Sequence, residues 1–420
     1  LKPCGSGGNV LPYFKKMETF SRGANLYRGG DGPVYVSQAP VERTIAQDWI
    51  NAGGEAGFKI SSDLNGEQME GFGPPDEAIY KGRRVSAVSA YLKPVKSRKN
   101  LTILTDATVL KLIIVDKKCK GVEYKRNDQS TIVEGENVIL SAGVHGSPQL
   151  LMLSGVGDKN VLKKHGIETA LHLPGVGQNL QDHLGFMIRI SSKASVSDLR
   201  HMGIMAKVRA VLEYLFLRRG FLARSSVRAI AVLNAAGSRS KWPDFKVQFF
   251  NMLVEDNPSM SITRHGFLVR ISMRPKSRGE VTLRSANPTD TPRIDANYLS
   301  HPDDIERARS GVRMLRKVFQ QPAMAKYGGE EVSPGVIIES DTDIDNWLRA
   351  NATGDAHGAG TCKMGNDIDC VVDNKLKVRG IENLMVVDTS IMPTLVCGNT
   401  MAPAMMIAEK AAAIILDNDA

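Results

Sequence analysis

A chain of 420 residues that is 42% hydrophobic and 24% charged has ordinary globular composition, and its length predicts two domains of roughly 100–200 residues each. No run of about 18 apolar residues occurs, so no membrane-spanning helix is expected. The net charge of +9 is interspersed with Asp and Glu and forms no block, which reads as a solvated basic surface rather than a nucleic-acid or lipid site.

Five cysteines (Cys4, Cys119, Cys362, Cys370 and Cys397) include no C-x-x-C pair. That argues against a disulfide scaffold and a zinc site, and for a reducing compartment over secretion. The first residue is Leu1 and no signal peptide is visible, so the natural start is expected upstream.

In chain order, residues 10–20 read as a helix with Leu11, Phe14 and Met17 on one face. A loop over 27–33 leads to a short strand, Val34-Tyr35-Val36. Residues 40–56 predict a helix ended by Gly53-Gly54, and 64–81 are turn-rich. A helix from Ser86 to about Tyr91 stops before Pro94. Residues 101–104 and 109–115 alternate as a pair of strands, with further strands at 121–124, 131–134 and 138–140. Ser147-Pro148 is expected to open a helix, because proline suits a first turn. After Asp198 the pattern changes: an amphipathic helix at 207–217, strands at 245–250, 268–273 and 281–283, and a clear helix over 303–319. The chain returns to α/β character after Trp347, with a buried strand at 384–387 and a last helix over 404–416.

No G-x-G-x-x-G follows a strand and opens a helix; Gly5-Ser6-Gly7 and Gly175-Val176-Gly177 are loop glycines. By that test alone the chain binds no dinucleotide. The C-terminal third points the other way. His357-Gly358-Ala359-Gly360-Thr361-Cys362-Lys363-Met364-Gly365 resembles the H-x-x-G-T-C-x-M-G motif of the glucose–methanol–choline (GMC) oxidoreductases. Val371-Val372-Asp373, Asn383-Leu384, Val387-Asp388, Ser390-Ile391-Met392-Pro393 and Gly398-Asn399-Thr400 follow in that family's order. Upstream, GVHGSPQLLMLSGVG from Gly143 and LPGVGQNLQDH from Leu173 resemble its second signature. Such ordered matches cover essentially the whole chain, and the choline-oxidising members of animals are the nearest in flavour.

The resemblance implies an α/β protein in which an incomplete Rossmann-like FAD domain is interleaved with an antiparallel-sheet substrate domain. Residues 1–190 are expected to contribute to the FAD domain, 191–356 mainly to the substrate domain, and 357–420 to return to the FAD domain with the catalytic motif. It implies FAD-dependent oxidation of the CH–OH group of a primary alcohol. His357 is expected to take the hydroxyl proton, a task suited to histidine near neutral pH, and Asn399 to hold the alcohol oxygen. Val109, Asp388, Thr389, Asn399, Thr400 and Met401 are the implied flavin contacts. No metal or nucleic acid is expected, the electron acceptor is left open, and a mitochondrial location follows by resemblance only. His145 and His183 read as structural, and Cys362 as a packed residue.

Four departures qualify this reading. The segment from Gly8 to Lys16 resembles one that normally lies well inside a family member, after the βαβ unit whose glycine-rich turn presents N–H groups to a pyrophosphate. A truncated chain or decayed paralogue that retains no FAD is therefore expected. Ala356 stands where choline-oxidising relatives carry an aromatic, Met401 where an Asn is usual, and Arg228 aligns with a carboxylate that pairs with the substrate's ammonium. These predict an uncharged primary alcohol over choline. A non-catalytic remnant without flavin is the alternative reading; a basic binding module has no motif to support it.

Overall fold

The computed structural model describes residues 10–41, 44–254 and 261–419. Cys4 and the glycines at 5, 7 and 8 lie outside them. The largest sheet has seven strands, and its bonded neighbours are antiparallel. Its order is Glu331–Ser333, Leu184–Ser191, Gly266–Met273, Phe245–Phe250, Val227–Leu233 and Gly71–Gly73, with Thr353–Gly354 added beside Leu184–Ser191. Side chains on a strand alternate between faces. In Phe245–Phe250 the residues Phe245, Val247 and Phe249 are buried, and Lys246, Gln248 and Phe250 are less so. The buried face packs under helices Ile45–Glu55, Pro302–Phe319 and Asp341–Asn351, around Trp49, Phe186, Phe249, Val312 and Leu348. Full burial of each such large side chain contributes about 1.5–3 kcal/mol. The opposite face is free to line a site.

A second apolar cluster holds Leu112, Leu140, Leu151, Val372, Leu384, Val386 and Ile407. It gathers the parallel pair Val138–Leu140 and Leu384–Val386, helices Gly143–Leu153 and Met401–Asp419, and a three-stranded antiparallel sheet of Thr108–Val115, Lys118–Arg126 and Gln129–Glu134. The mixed α/β class is as expected. No helix of the described residues is long and apolar enough to cross a membrane.

Several local expectations needed correction. The first helix covers only Leu11–Met17, after which Glu18–Phe20 pairs in parallel with the Val34–Gln38 strand. Residues 101–104 form no strand, because nothing pairs with them; the alternation there is carried by Thr108–Val115 alone. The helix expected from Ser86 to about Tyr91 is a π-turn, Val88–Leu92, that runs on through Pro94 as Lys93–Val95.

The helix expected to open at Ser147 begins at Gly143, leaving Pro148 inside it. A proline there has no N–H for the carbonyl four residues back. That carbonyl, on Val144, instead accepts the Thr361 hydroxyl at 2.6 Å. Thr361 of the glycine-rich motif thereby ties the two signatures together and relieves the proline's cost.

Candidate active site

The loop carrying His357 is fastened to one short stretch on both of its flanks. Before it, Thr353 and Gly354 pair with Gly185 and Leu184, and Asp355 N–H donates to the His183 carbonyl at 3.1 Å. After it, Ala359 and Gln181 exchange backbone hydrogen bonds of 2.8 and 2.9 Å. Between these clamps Ala356 takes φ +56°, a left-handed conformation that costs a β-carbon residue of order 1 kcal/mol or more and collects at functional sites. The turn aims the His357 ring at His183.

Neighbouring residues of the clamp grip opposite sides of His357. Asp182 Oδ1 accepts its backbone N–H at 2.8 Å, while Asp182 Oδ2 accepts the Tyr298 hydroxyl at 3.0 Å. The His183 ring meets the His357 ring Nδ1 to Nδ1 at 3.1 Å, edge-on, and its Nε2 lies 2.9 Å from the Val396 carbonyl.

These contacts assign the protons. A carbonyl can only accept, so His183 carries its proton on Nε2, and a neutral ring then offers a lone pair at Nδ1. His357 must donate to it from Nδ1, which leaves His357 Nε2 as a bare acceptor. His183 is only 1% exposed. Burial foremost, with the charge of His357 also opposing protonation, pulls its pKa down to about 4, so it stays neutral. Burial likewise lowers the pKa of His357.

His183 was expected to be structural; the structure sets its buried ring against His357, a contact the sequence did not show. The only signal was its place in the second matched signature. Its partner is 174 residues away.

Gln181 binds the remaining wall. Its amide donates to the Pro393 carbonyl at 3.2 Å and its Oε1 accepts Leu395 N–H at 3.0 Å, which carries the following turn to Asn399. Asn399 is exposed, and its Oδ1 accepts from the Lys246 ammonium. A lysine can only donate, so the amide oxygen is the end turned to it, leaving the Nδ2–H donors free. Lys246 was not singled out from the sequence. Its charge acts on both His183 and His357.

The other expected site residues are placed as follows. Asp388 Oδ2 accepts Gly143 N–H at 2.9 Å and the Ser147 hydroxyl at 2.5 Å, and its Oδ1 accepts Ser390 N–H at 2.8 Å. This carboxylate caps the start of helix Gly143–Leu153, where negative charge is favoured. The Thr389 hydroxyl donates to the Gly358 carbonyl at 3.0 Å, so it secures the His357 loop. Thr400 and Met401 open the last helix, and Met401 is 39% exposed. Val109 is half-buried in a strand that packs against helix Gly143–Leu153.

Arg228, expected to meet the substrate, is engaged by a carboxylate of its own. Its guanidinium donates to Asp198 at 2.8 Å and lies 5.6 Å from the centre of the Phe221 ring. Asp198 is 2% exposed; a buried carboxylate needs a counter-charge, and it claims the arginine. Cys362 is fully buried, and burial pushes its thiol pKa up, in keeping with a packed residue.

The sequence model of the GMC oxidoreductase family matches residues 5–185 and 275–408. An oxygen-dependent choline dehydrogenase from Brucella anthropi is 40% identical over 412 residues, covering 97% of this chain and 75% of that protein. The mitochondrial choline dehydrogenase of Mus musculus is 41% identical over 411 residues, covering 97% of this chain and 69% of that one. An FAD-dependent oxidoreductase from Chaetomium thermophilum superposes with a TM-score of 0.88 at 26% identity, covering 98% and 80% of the two chains.

The chain belongs to the GMC oxidoreductase family. It is a choline dehydrogenase-like oxidoreductase of alcohols, with FAD as the cofactor. The expected loss of activity and of flavin finds no support here, since both family segments match. Relatives of near-equal similarity are mitochondrial in mouse and bacterial elsewhere.

The residues at the ring end fit such a cofactor. His357 is half-buried and Asn399 exposed. Gly143, at φ +80°, and Gly398 both face open space in which an added β-carbon would meet nothing within 4 Å.

Proposed function

We propose that this protein oxidises a primary alcohol, with His357 Nε2 as the base for the hydroxyl proton and Asn399 Nδ2 as the donor that holds the alcohol oxygen. The observation that supports this is the chain of contacts from the Val396 carbonyl through His183 to His357, which leaves Nε2 of the half-buried His357 ring without a partner among the described residues. Gly143, Asp388, Thr389, Thr400 and Met401 are the residues that would hold the flavin ring end. When bound, FAD supplies the acceptor for the hydride that leaves the carbinol carbon.

The protein's own part is to orient and to move a proton. Asn399 aligns the oxygen, with its amide fixed by Lys246. His357 accepts the proton at Nε2 while its Nδ1–H bond to His183 is kept. The imidazolium so formed is stabilised by the Asp182 and Asp355 carboxylates, both of which favour its charge. His183 holds the ring rather than taking the proton, because burial and the charge of His357 both oppose its protonation.

The choline reading rests on the names of the two relatives. Against it stand Ala356, which offers no aromatic face to a quaternary ammonium, and the cation at Lys246. Measuring kcat/KM for choline and for a neutral alcohol of similar size on the flavin-loaded protein tests this. A preference for the neutral alcohol is expected, and a clear preference for choline would overturn it.

A further inference from the structure

A lysine that makes no ion pair among the described residues lies close enough to the candidate base for its charge to act on it. Lys246 projects from the sheet face opposite the hydrophobic layer, because Phe245 and Val247 on either side of it point into that layer. Its ammonium donates to Asn399 Oδ1. An ammonium has three donors, and among the described residues the other two meet no partner. The charged and titratable groups around it are otherwise engaged. Asp355, the carboxylate that most favours its charge, is ion-paired with Arg270. Asp182 is held by Tyr298 and by the His357 backbone, and His183 and His357 hold each other. Burial pulls the Lys246 pKa down to about 8, so at pH 7 the group is mainly charged. An uncompensated half-buried cation is unfavourable by itself, and becomes favourable when a ligand brings the opposite charge.

We propose that Lys246 determines the substrate of this site, and that the substrate is a short primary alcohol carrying a carboxylate. This rests on the alcohol-oxidising reading above. The hydroxyl would sit between His357 Nε2 and Asn399 Nδ2, and the carboxylate against the two remaining Lys246 donors. The reaction balances as for any alcohol: the O–H proton goes to His357, the carbinol hydride to FAD, and the product is the corresponding aldehyde acid. A quaternary ammonium in the same place would meet a like charge and could donate no hydrogen bond.

The test is to measure binding of glycolate and of choline by calorimetry to flavin-loaded wild-type protein, Lys246→Gln and Lys246→Arg, with turnover measured separately. The glutamine removes the charge while keeping an N–H donor on a shorter stem. The expected result is glycolate binding weakened by at least roughly 10-fold in Lys246→Gln, the size of one charge-assisted hydrogen bond, and retained in Lys246→Arg. Choline should bind Lys246→Gln more tightly than wild type. Wild-type affinity for glycolate should fall as pH rises through about 8, where Lys246 loses its proton. Equal glycolate affinity in wild type and Lys246→Gln, or choline outcompeting glycolate in wild type, overturns the proposal. Glycolate that binds in a Lys246-dependent way but is not oxidised, while a neutral alcohol is, overturns the substrate assignment and leaves the alcohol-oxidising reading standing; if no alcohol reduces the flavin, it is that reading that fails.

Discussion

Two polar pairs, each with one buried and one half-buried member, behave in opposite ways. Arg228 and Asp198 close on each other at 2.8 Å, both charges are spent, and the pair serves the packing of its own corner. His183 and His357 meet at 3.1 Å, but that pair is open at one end: its inner nitrogen is anchored to a carbonyl, and its outer nitrogen is left bare. The difference is one of saturation. A polar side chain can take part in chemistry only if the structure leaves it a free atom, and the residue types alone do not reveal which pair has one.

Replacing His357 breaks the open pair at its working end and should have the largest effect. His357→Ala is expected to cut flavin reduction by alcohol at least roughly 100-fold, the loss typical of a general base. Rapid-mixing measurements at saturating alcohol check this, with flavin absorbance confirming that the cofactor stays bound.

The inner half of the pair should show itself in the pH dependence of stability. The folded pKa of His183 is about 4, below the unfolded value of about 6.5. Between these the unfolded chain binds the extra proton, so stability rises with pH in that window. It is fully present above about pH 6.5 and is lost as the pH falls toward 4, by up to about 3 kcal/mol. Denaturant midpoints across pH 4–7 should show this slope in the wild type and a flatter one in His183→Gln. Equal slopes would contradict it.

The closed pair should answer to substitution in stability rather than substrate choice. Arg228→Glu places a second carboxylate beside buried Asp198 and should cost about 3 kcal/mol, seen as a lower unfolding midpoint. Choline oxidation should not improve. An improvement would bring Arg228 back into the substrate site.

Asn399→Ala should have the smallest effect, about 10-fold in kcat, because water can partly replace an orienting amide. Steady-state kinetics measures it.

The sequence made one member of the open pair legible and hid the other. His357 and Asn399 sit in a motif with tight spacing, so their origin is readable without a fold. His183 is a single histidine in a glycine-rich loop, and its meaning depends on a contact that strand pairing at Gly185 and Thr353 brings about. Lys246 was hidden differently. Alternation in Phe245–Phe250 predicts a strand with one apolar face, but not that the other face looks at Asn399.

Elements with strong internal periodicity were readable: Phe245–Phe250 was placed to the residue, and Pro302–Phe319 within one residue of its start. The misread strand at 101–104 had the right alternation and lacked a partner. The misplaced start at Ser147 followed a local preference of proline, which a hydroxyl from Thr361 overrode. The partner of Arg228 was hidden for a related reason, since position along the chain could not show that Asp198 would claim it.

The claim on which the rest depends is that His357 carries its proton on Nδ1 and keeps Nε2 bare. Histidine-selective ¹⁵N labelling, with nitrogen chemical shifts and ring couplings read near pH 7, measures it directly. The expected spectrum has a protonated Nδ1 and an unprotonated Nε2 for His357, and the reverse for His183, with the His357 pattern lost in His183→Gln. A His357 ring protonated on Nε2 would contradict the account, because that nitrogen would have no lone pair to take the hydroxyl proton.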